Sequence, residues 1–369
     1  MPPPPRKSSN TGLLIGLLAG GGFLVMVIVI VILVASGVFS SGGKSPAVGD
    51  SGDSPTDKLA AAAQRLSGIP GIGLKGTLGS GSDKLEGDFK VTRGGRMSGT
   101  ATWNGRNVRL ILPGEDMYVR GGPEFWRTDG NVSASLQWLN DSRWGKLGYS
   151  SLATAFKKDM SPSALAKDLR NVTRYSVRST EDTAVQGTSA LKIVTTGDTY
   201  YVSADGSPRL LRVETGYPAA AMDVTELNGP GGGEAVTELR TRINELKNSF
   251  ATDRTTRVEK IKWGSCTTSG CTVHSTVSAG RGGAPSISVT VFVRLNAEKK
   301  SGRKLGECTG TGVIRSSHSI SVTCRVKSTA WSKFRGGYGY HRWWGQAEAM
   351  AGGASSEDVQ KMLSTLTTE

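Results

Sequence analysis

One segment constrains this chain more than any other. Residues 13–39 contain no charged side chain, and most of them are Leu, Ile, Val, Ala, Phe or Gly. As a helix they would be about 40 Å long, which exceeds the roughly 30 Å of a bilayer's hydrocarbon core. The apolar region of a cleavable signal peptide is only about 7–15 residues long. We therefore expect a transmembrane anchor that stays in the protein, with a cleaved signal peptide as the alternative.

The residues beside this segment orient it. Arg6 and Lys7 precede it, so the positive-inside rule favours a cytoplasmic tail over residues 1–12. Residues 40–56 are rich in Ser, Gly, Pro and Asp and lack apolar periodicity, as is typical of a flexible linker. The mean hydropathy of −0.24 excludes a polytopic membrane protein. We expect a single-pass protein of the cell membrane, with a cytoplasmic N-terminus and an extracytoplasmic bulk.

The four cysteines all lie beyond residue 260, and their spacing differs from the paired ligands of zinc ribbons. The three histidines form no cluster with them, so we expect no metal and no cofactor. An even number of cysteines beyond a membrane anchor indicates disulfides. We expect the local pairs Cys266–Cys271 and Cys308–Cys324, although four cysteines allow three connectivities.

The positive charge is concentrated in one part of the chain. Of the formal net charge of +14, residues 237–345 contribute +13, with 19 basic and 6 acidic side chains. Such a segment attracts anionic lipid headgroups, wall polymers or nucleic acid. The alternative is a basic surface that is only solvated.

Residues 57–228 read as antiparallel strands with a few short helices. Period-two alternation and turn pairs such as Asn104-Gly105 and Asp205-Gly206 indicate hairpins. Strands are predicted over residues 84–92, 97–103, 107–112, 117–119, 173–179, 188–195, 199–203 and 209–214. Helices are predicted over residues 57–66, 150–156 and 161–169. The fold class is therefore α+β, mainly antiparallel β.

Several runs in this part resemble one group of bacterial envelope proteins. They are GEDMYV (114–119) followed by Trp126, VQGTSALKI (185–193), DTYYVS (198–203) and DGSPRLLRV (205–213). The pattern is similar to that of the LolA/LppX/LprG group and covers about residues 57–228. The resemblance implies a curved half-barrel sheet that is closed by covering helices and holds the acyl chains of a lipid or lipoprotein. Many relatives carry an acylated cysteine, whereas no cysteine stands near residue 40 here.

The apolar side chains of the predicted strands are the candidate lining of such a cleft. They are Phe89, Val91, Trp103, Leu110, Leu112, Tyr118, Trp126, Leu191, Ile193 and Tyr201. The alternative is a β domain whose interior is simply filled by these side chains.

A second domain is predicted after an amphipathic connecting helix over residues 234–250. Residues 251–345 read as a small disulfide-bonded β-sandwich, with strands at 257–263, 271–278, 287–295, 307–314 and 319–326. Residues 346–369 read as a C-terminal tail with a short helix. Candidate anion contacts are Lys299, Lys300, Arg303, Lys304, Arg335 and Arg342. A solvated hairpin tip is the alternative for the four in the run AEKKSGRK, and a packed terminal strand is the alternative for the aromatic residues around Arg342.

No catalytic pattern stands out. The G-x-G-x-x-G run at residues 71–76 opens no helix and lies in no βαβ unit, so we reject a dinucleotide site. We expect a non-catalytic membrane-anchored protein that binds a lipid or another amphipathic ligand in its cleft. The alternative is a structural or regulatory ectodomain that binds an envelope protein or an anionic wall polymer. Nucleic acid binding through residues 237–345 is a third hypothesis.

Overall fold

The computed structural model describes residues 54–81, 84–129, 143–148, 150–280, 286–315 and 318–366. The predicted tail and anchor lie outside these residues, as does nearly all of the predicted linker. None of the helices in the described ranges is both long and apolar enough to cross a bilayer. These residues belong to one compact unit, which begins at Gly52.

The fold is α+β, with mostly antiparallel strands, as predicted. The helices are α1 (Pro55–Gly68), α2 (Pro123–Thr128), α3 (Ser151–Lys158), α4 (Pro162–Asn171), α5 (Pro230–Glu245), α6 (Thr329–Gly336) and α7 (Ser356–Leu366). The first eleven strands are β1 (Gly71–Leu78), β2 (Leu85–Thr92), β3 (Met97–Trp103), β4 (Arg106–Leu112), β5 (Tyr118–Gly121), β6 (Gly145–Lys146), β7 (Val177–Val185), β8 (Thr188–Thr195), β9 (Asp198–Ser203), β10 (Leu210–Thr215) and β11 (Ala220–Glu226). The others are β12 (Phe250–Ala251), β13 (Thr256–Thr267), β14 (Gly270–Ala279), β15 (Ile287–Ala297), β16 (Lys304–Ile314), β17 (Ser319–Val326) and β18 (Trp343–Ala351).

The largest sheet has 12 strands in the order β12-β6-β5-β4-β3-β2-β1-β11-β10-β9-β8-β7. It consists of two antiparallel meanders, because each hairpin turn returns the chain beside the strand it has just formed. At the turn between β3 and β4, Asn104 and Gly105 both have positive φ (48° and 77°), which is the backbone of the predicted two-residue turn. The strands β1 and β11 were not predicted, and their pairing joins the two meanders.

One face of this sheet is covered by α1, α3 and α4. Their apolar faces and the inward side chains of the strands form one buried cluster. Phe89 of β2 and Phe156 of α3, for example, lie with ring centroids 4.9 Å apart and are fully buried. The hydroxyl of Ser161 accepts a hydrogen bond from the Ala164 amide, so it caps α4.

Part of the opposite face is covered by α5 and α7. Ile111 and Tyr118 of the sheet are buried there with Leu239 of α5 and Val359 of α7. The predicted connecting helix over 234–250 ends early, because α5 stops at Glu245 and β12 begins at Phe250.

Two three-stranded sheets, β13-β14-β17 and β16-β15-β18, enclose a third apolar core. The disulfides Cys266–Cys271 and Cys308–Cys324 both form as predicted, and the second joins β16 of one sheet to β17 of the other. Strand β18 pairs with β15 and crosses residue 345, where the sequence places the end of the basic domain.

Candidate functional site

The candidate cleft residues lie mainly inside the protein core. Eight of the ten side chains are at most 7% exposed, and Leu191 and Tyr201 are half-buried. Seven of the eight belong to the core beneath α1, α3 and α4: Phe89, Val91, Trp103, Leu110, Leu112, Trp126 and Ile193. Tyr118 is buried on the opposite face with α5 and α7. The structure therefore gathers most of the predicted residues, but as packed core side chains.

The other face of the large sheet is polar and carries a row of side chains that we call the polar row. On strands β1 to β5 the register places five residues side by side: Lys75, Asp88, Thr100, Arg109 and Arg120. Because strand side chains alternate between faces, these residues sit between the buried positions of the same strands. The alternation was visible in the sequence, but only its apolar half was used to predict a site.

On strands β11 to β7 the polar row continues through five more residues: Asp223, Arg212, Tyr201, Lys192 and Glu181. Arg212 donates to Asp223 at 2.9 Å, and Lys192 lies 3.5 Å from Glu181. The Arg212 guanidinium also lies 6.0 Å from the centroid of the Tyr201 ring. In this half of the row each cation has an anionic neighbour.

A groove of about 800 Å³ opens on the polar face over β1 to β5. Its charged lining consists of Lys75, Glu86, Asp88, Arg109 and Arg120. A smaller pocket of about 150 Å³ lies between the sheet and α5, and Arg109 lines both spaces. The larger groove, over β1 to β5, is lined mainly by charged and polar residues and glycines, whereas the sequence analysis predicts an apolar cleft.

Arg120 belongs to a network that fixes α5 to the sheet. Its guanidinium donates to Glu245 at 2.6 Å and lies 4.7 Å from the centroid of the Trp144 ring. Glu245 also accepts hydrogen bonds from Trp144 Nε1 at 2.9 Å and from Arg242 at 3.1 Å. Burial by itself would raise the pKa of Glu245, but the bond from Trp144 and the two arginines outweigh it and lower that pKa.

The candidate anion contacts divide into two groups. Lys299, Lys300 and Arg303 are exposed in the turn between β15 and β16, and Arg342 is brought beside them because its carbonyl accepts a hydrogen bond from the Glu298 amide. The other two members have partners of their own. Lys304 pairs with Glu307 at 2.7 Å, and the Arg335 guanidinium lies 5.1 Å from the centroid of the Trp343 ring.

The aromatic residues near Arg342 also fall into two groups, one packed and one exposed to solvent. Trp343 packs against Trp331, with ring centroids 5.4 Å apart, as expected for a packed strand. Tyr338 and Tyr340 are almost fully exposed, and Trp344 is 46% exposed. We define the aromatic–basic tip as Lys299, Lys300, Arg303, Tyr338, Tyr340, Arg342 and Trp344.

A second group of cations lies on the outer face of β13 and was not predicted. Arg257, Lys260 and Lys262 are exposed there, opposite Ser278, Thr276 and His274 of β14. Trp263 follows Lys262 and is 42% exposed, but its ring packs toward Trp343 with centroids 6.3 Å apart, whereas the tyrosines of the aromatic–basic tip are almost fully exposed.

Across the described ranges, no group of three or more His, Cys, Asp or Glu side chains is arranged to hold a metal ion. No family model matches the sequence, and no curated protein is significantly similar to it.

Proposed function

We propose that this chain is a non-catalytic, membrane-tethered binding protein that holds itself against an anionic lipid surface through its aromatic–basic tip. The observation that supports this proposal is the joint exposure of Tyr338, Tyr340 and Trp344 in the segment that carries Arg342, whose carbonyl is hydrogen-bonded to the basic β15–β16 turn. A surface that served only solubility would not need almost fully exposed tyrosine rings.

The composition of the tip is that of an interfacial contact. Tyrosine and tryptophan rings lie at the headgroup level of a bilayer, with an apolar body and a polar edge. Each Lys or Arg near an anionic leaflet contributes about 1 kcal/mol of attraction. Lys299, Lys300, Arg303 and Arg342 would together contribute about 4 kcal/mol at low salt. Only Glu298, among the residues of the β15–β16 turn, carries the opposite charge.

The predicted anchor gives this contact its context. Residues 40–53, which precede the Ser54 cap of α1, could extend to about 50 Å, so a protein tethered by residues 13–39 would keep the tip within reach of the membrane. A weak contact between the tip and the lipid surface would then add to the membrane attachment that the anchor provides. The two disulfides support an extracytoplasmic location, because such bonds persist in oxidising compartments.

Vesicle sedimentation tests the proposal with residues 52–369, which form a compact unit. We expect binding to vesicles that contain an anionic phospholipid, weak binding to phosphatidylcholine alone, and a steep loss of binding with salt. The triple variant K299Q/K300Q/R303Q should lose at least about tenfold in affinity, and Y338S/Y340S should weaken the binding that persists at high salt.

The matched control is R257Q/K260Q/K262Q, which removes the same charge from the outer face of β13. It should keep its affinity within about threefold, since only long-range attraction is lost. An equal loss in both triple variants, or no binding to anionic vesicles at low salt, would contradict the proposal. Equally strong binding to DNA would favour a general polyanion contact instead.

A second candidate function is the binding of an acyl chain beneath α3 and α4, as the resemblance to the LolA/LppX/LprG group implies. One observation favours it: the Trp126 Nε1 group is buried in this core without a hydrogen-bond partner. An unpaired buried donor costs about 1–3 kcal/mol, and an oxygen of a bound headgroup would satisfy it.

Native mass spectrometry of residues 52–369 with added phospholipid tests this second function. The protein should retain one lipid, and L110W, which adds bulk to the core that contains Leu110, should abolish the uptake while circular dichroism shows the variant folded. A lipid-free mass at every phospholipid concentration would exclude the acyl-chain function and leave the tip proposal in place.

A further inference from the structure

We propose that the groove on the polar face of the large sheet binds a short zwitterionic peptide of about three or four residues. The site lies over β1 to β5 and is distinct from both the aromatic–basic tip and the apolar core. The proposal rests on three features of the groove: the incomplete charge pairing of the polar row beneath it, the positions of its charges, and the neutral groups between them.

The polar row is paired on one half and open on the other. Over β7 to β11, Lys192 and Arg212 lie against Glu181 and Asp223. Over β1 to β5, by contrast, the Arg109 side chain makes no ion pair or hydrogen bond with any described residue. The groove of about 800 Å³ lies over this open half, so water or a ligand must solvate the charged side chains there.

The basic end of the groove carries an uncompensated positive charge. Arg109 and Arg120 stand directly opposite each other on β4 and β5, an arrangement in which like charges repel. Glu245 neutralises Arg120 at 2.6 Å, and this carboxylate is shared with Arg242. Arg109 therefore remains available for a carboxylate, which a guanidinium binds with two parallel hydrogen bonds.

The acidic end lies two strands away on β2. Glu86 is exposed, stands opposite Thr77 and Thr102 in the register, and has no cation directly across from it. Arg109 is in register with Thr100 and Asp88, so Glu86 lies two strands away and two residues further along β2. With about 4.8 Å between strands and about 3.4 Å per residue along them, a ligand that joins the two side chains spans about 12 Å. An extended peptide covers about 3.3–3.6 Å per residue, so this span matches three to four residues between an amino group and a carboxylate.

Neutral hydrogen-bonding groups fill the space between the two charged ends. Thr100 and Thr102 of β3 and Asn107 of β4 are exposed and line the groove. Hydroxyl and amide groups both donate and accept, so they can bind the amide groups of a peptide backbone without selecting its side chains. The site thus has a place for each end of the peptide and for its middle.

Calorimetric titration of the full-length protein in detergent micelles with trialanine and tetraalanine tests the proposal. We expect binding by the free peptides and at least about a tenfold loss when the carboxylate is amidated or the amino group is acetylated, since each removes a charge-assisted hydrogen bond. The R109Q variant should bind the free and the amidated peptide equally. The E86Q variant should bind the free and the acetylated peptide equally.

The control is R178Q, which removes an exposed arginine from β7, at the far edge of the same sheet. It should bind the free peptides like the unaltered protein. Circular dichroism should show that all three variants fold, because the substituted side chains are exposed. Absence of measurable heat with both free peptides at about 1 mM would overturn the proposal, as would an amidation effect that survives in R109Q. Neither result bears on the vesicle binding of the tip.

Discussion

At the scale of single residues, Glu245 connects more groups than any other carboxylate described above. It accepts from Arg120, Arg242 and Trp144, and thereby fixes α5 to the polar face of the large sheet. Its side chain is 30% exposed, so these bonds are only partly screened by water. The position of α5 beside the groove therefore depends on the charge of one side chain.

The variant E245Q should lower the free energy of unfolding at pH 7 by about 1–2 kcal/mol, because bonds to a charged acceptor are stronger than bonds to an amide. The pKa of Glu245 is lowered in the folded state, so its contribution is present above its unfolded pKa and is lost as the pH falls through its folded pKa. Urea denaturation at pH 7 and at pH 3 should show a difference between the two proteins that shrinks at the lower pH. A difference that is the same at both pH values would contradict this role.

At the scale of elements, β1 shows how a glycine-rich segment becomes the central strand of a sheet. Residues 71–76 match the dinucleotide-binding pattern G-x-G-x-x-G, yet they form a strand that pairs with β2 on one side and with β11 on the other. Gly76 has a φ of 150°, and a Cβ there would lie 2.0 Å from the carbonyl oxygen of Ala221. The junction of the two meanders therefore needs a residue without a side chain.

The substitution Gly76→Ala should destabilise the protein by at least about 2 kcal/mol, since it adds backbone strain and a clash with β11. The matched control is Gly73→Ala in the same strand, where the nearest atom to an added Cβ lies at 3.7 Å. That variant should stay within about 0.5 kcal/mol of the unaltered protein. Urea denaturation of both variants checks the pair, and equal effects would contradict the proposed crowding at Gly76.

Local signals predicted most elements of this fold, and non-local contacts account for the rest. The turns at Asn104-Gly105 and Asp205-Gly206 and the alternation around them place most strands within a few residues of their observed bounds. Strands β1 and β11 were missed because β1 is rich in glycine and because each has one of its two partners more than a hundred residues away. The polar groove was missed for a different reason: Glu86 and Arg109 lie on predicted strands of one meander, but only the apolar half of the alternation was used to predict a site.

At the scale of the whole molecule, the two halves of the chain share structural elements. Strand β12 pairs in parallel with β6, which places Phe250 beside Trp126 with ring centroids 4.8 Å apart. The Arg143 guanidinium lies 4.9 Å from the centroid of the Phe292 ring, and Phe292 is buried with the first core. The core of the first sheet is therefore completed by Phe250 of the predicted connecting helix and by Phe292, which the sequence analysis assigns to the second domain.

Thermal unfolding should consequently occur as one cooperative transition of residues 52–369. The variants Phe156→Ala in the first core and Val291→Ala in the third core should each lower the midpoint of that same transition, because both side chains are buried. Differential scanning calorimetry distinguishes this outcome from two independent domains. Two separate transitions, each sensitive to only one variant, would support the domain boundaries predicted from the sequence.

The docking of α7 also sets an order of events during synthesis. Val359 and Leu366 cover Ile111 and Tyr118, so the nascent polypeptide exposes those two side chains to water long before their cover is translated. At about 5–20 residues per second, the interval between Tyr118 and Val359 lasts about 10–50 s. For that period this part of the polar face lacks its cover, so the docking of α7 belongs to the late steps of folding.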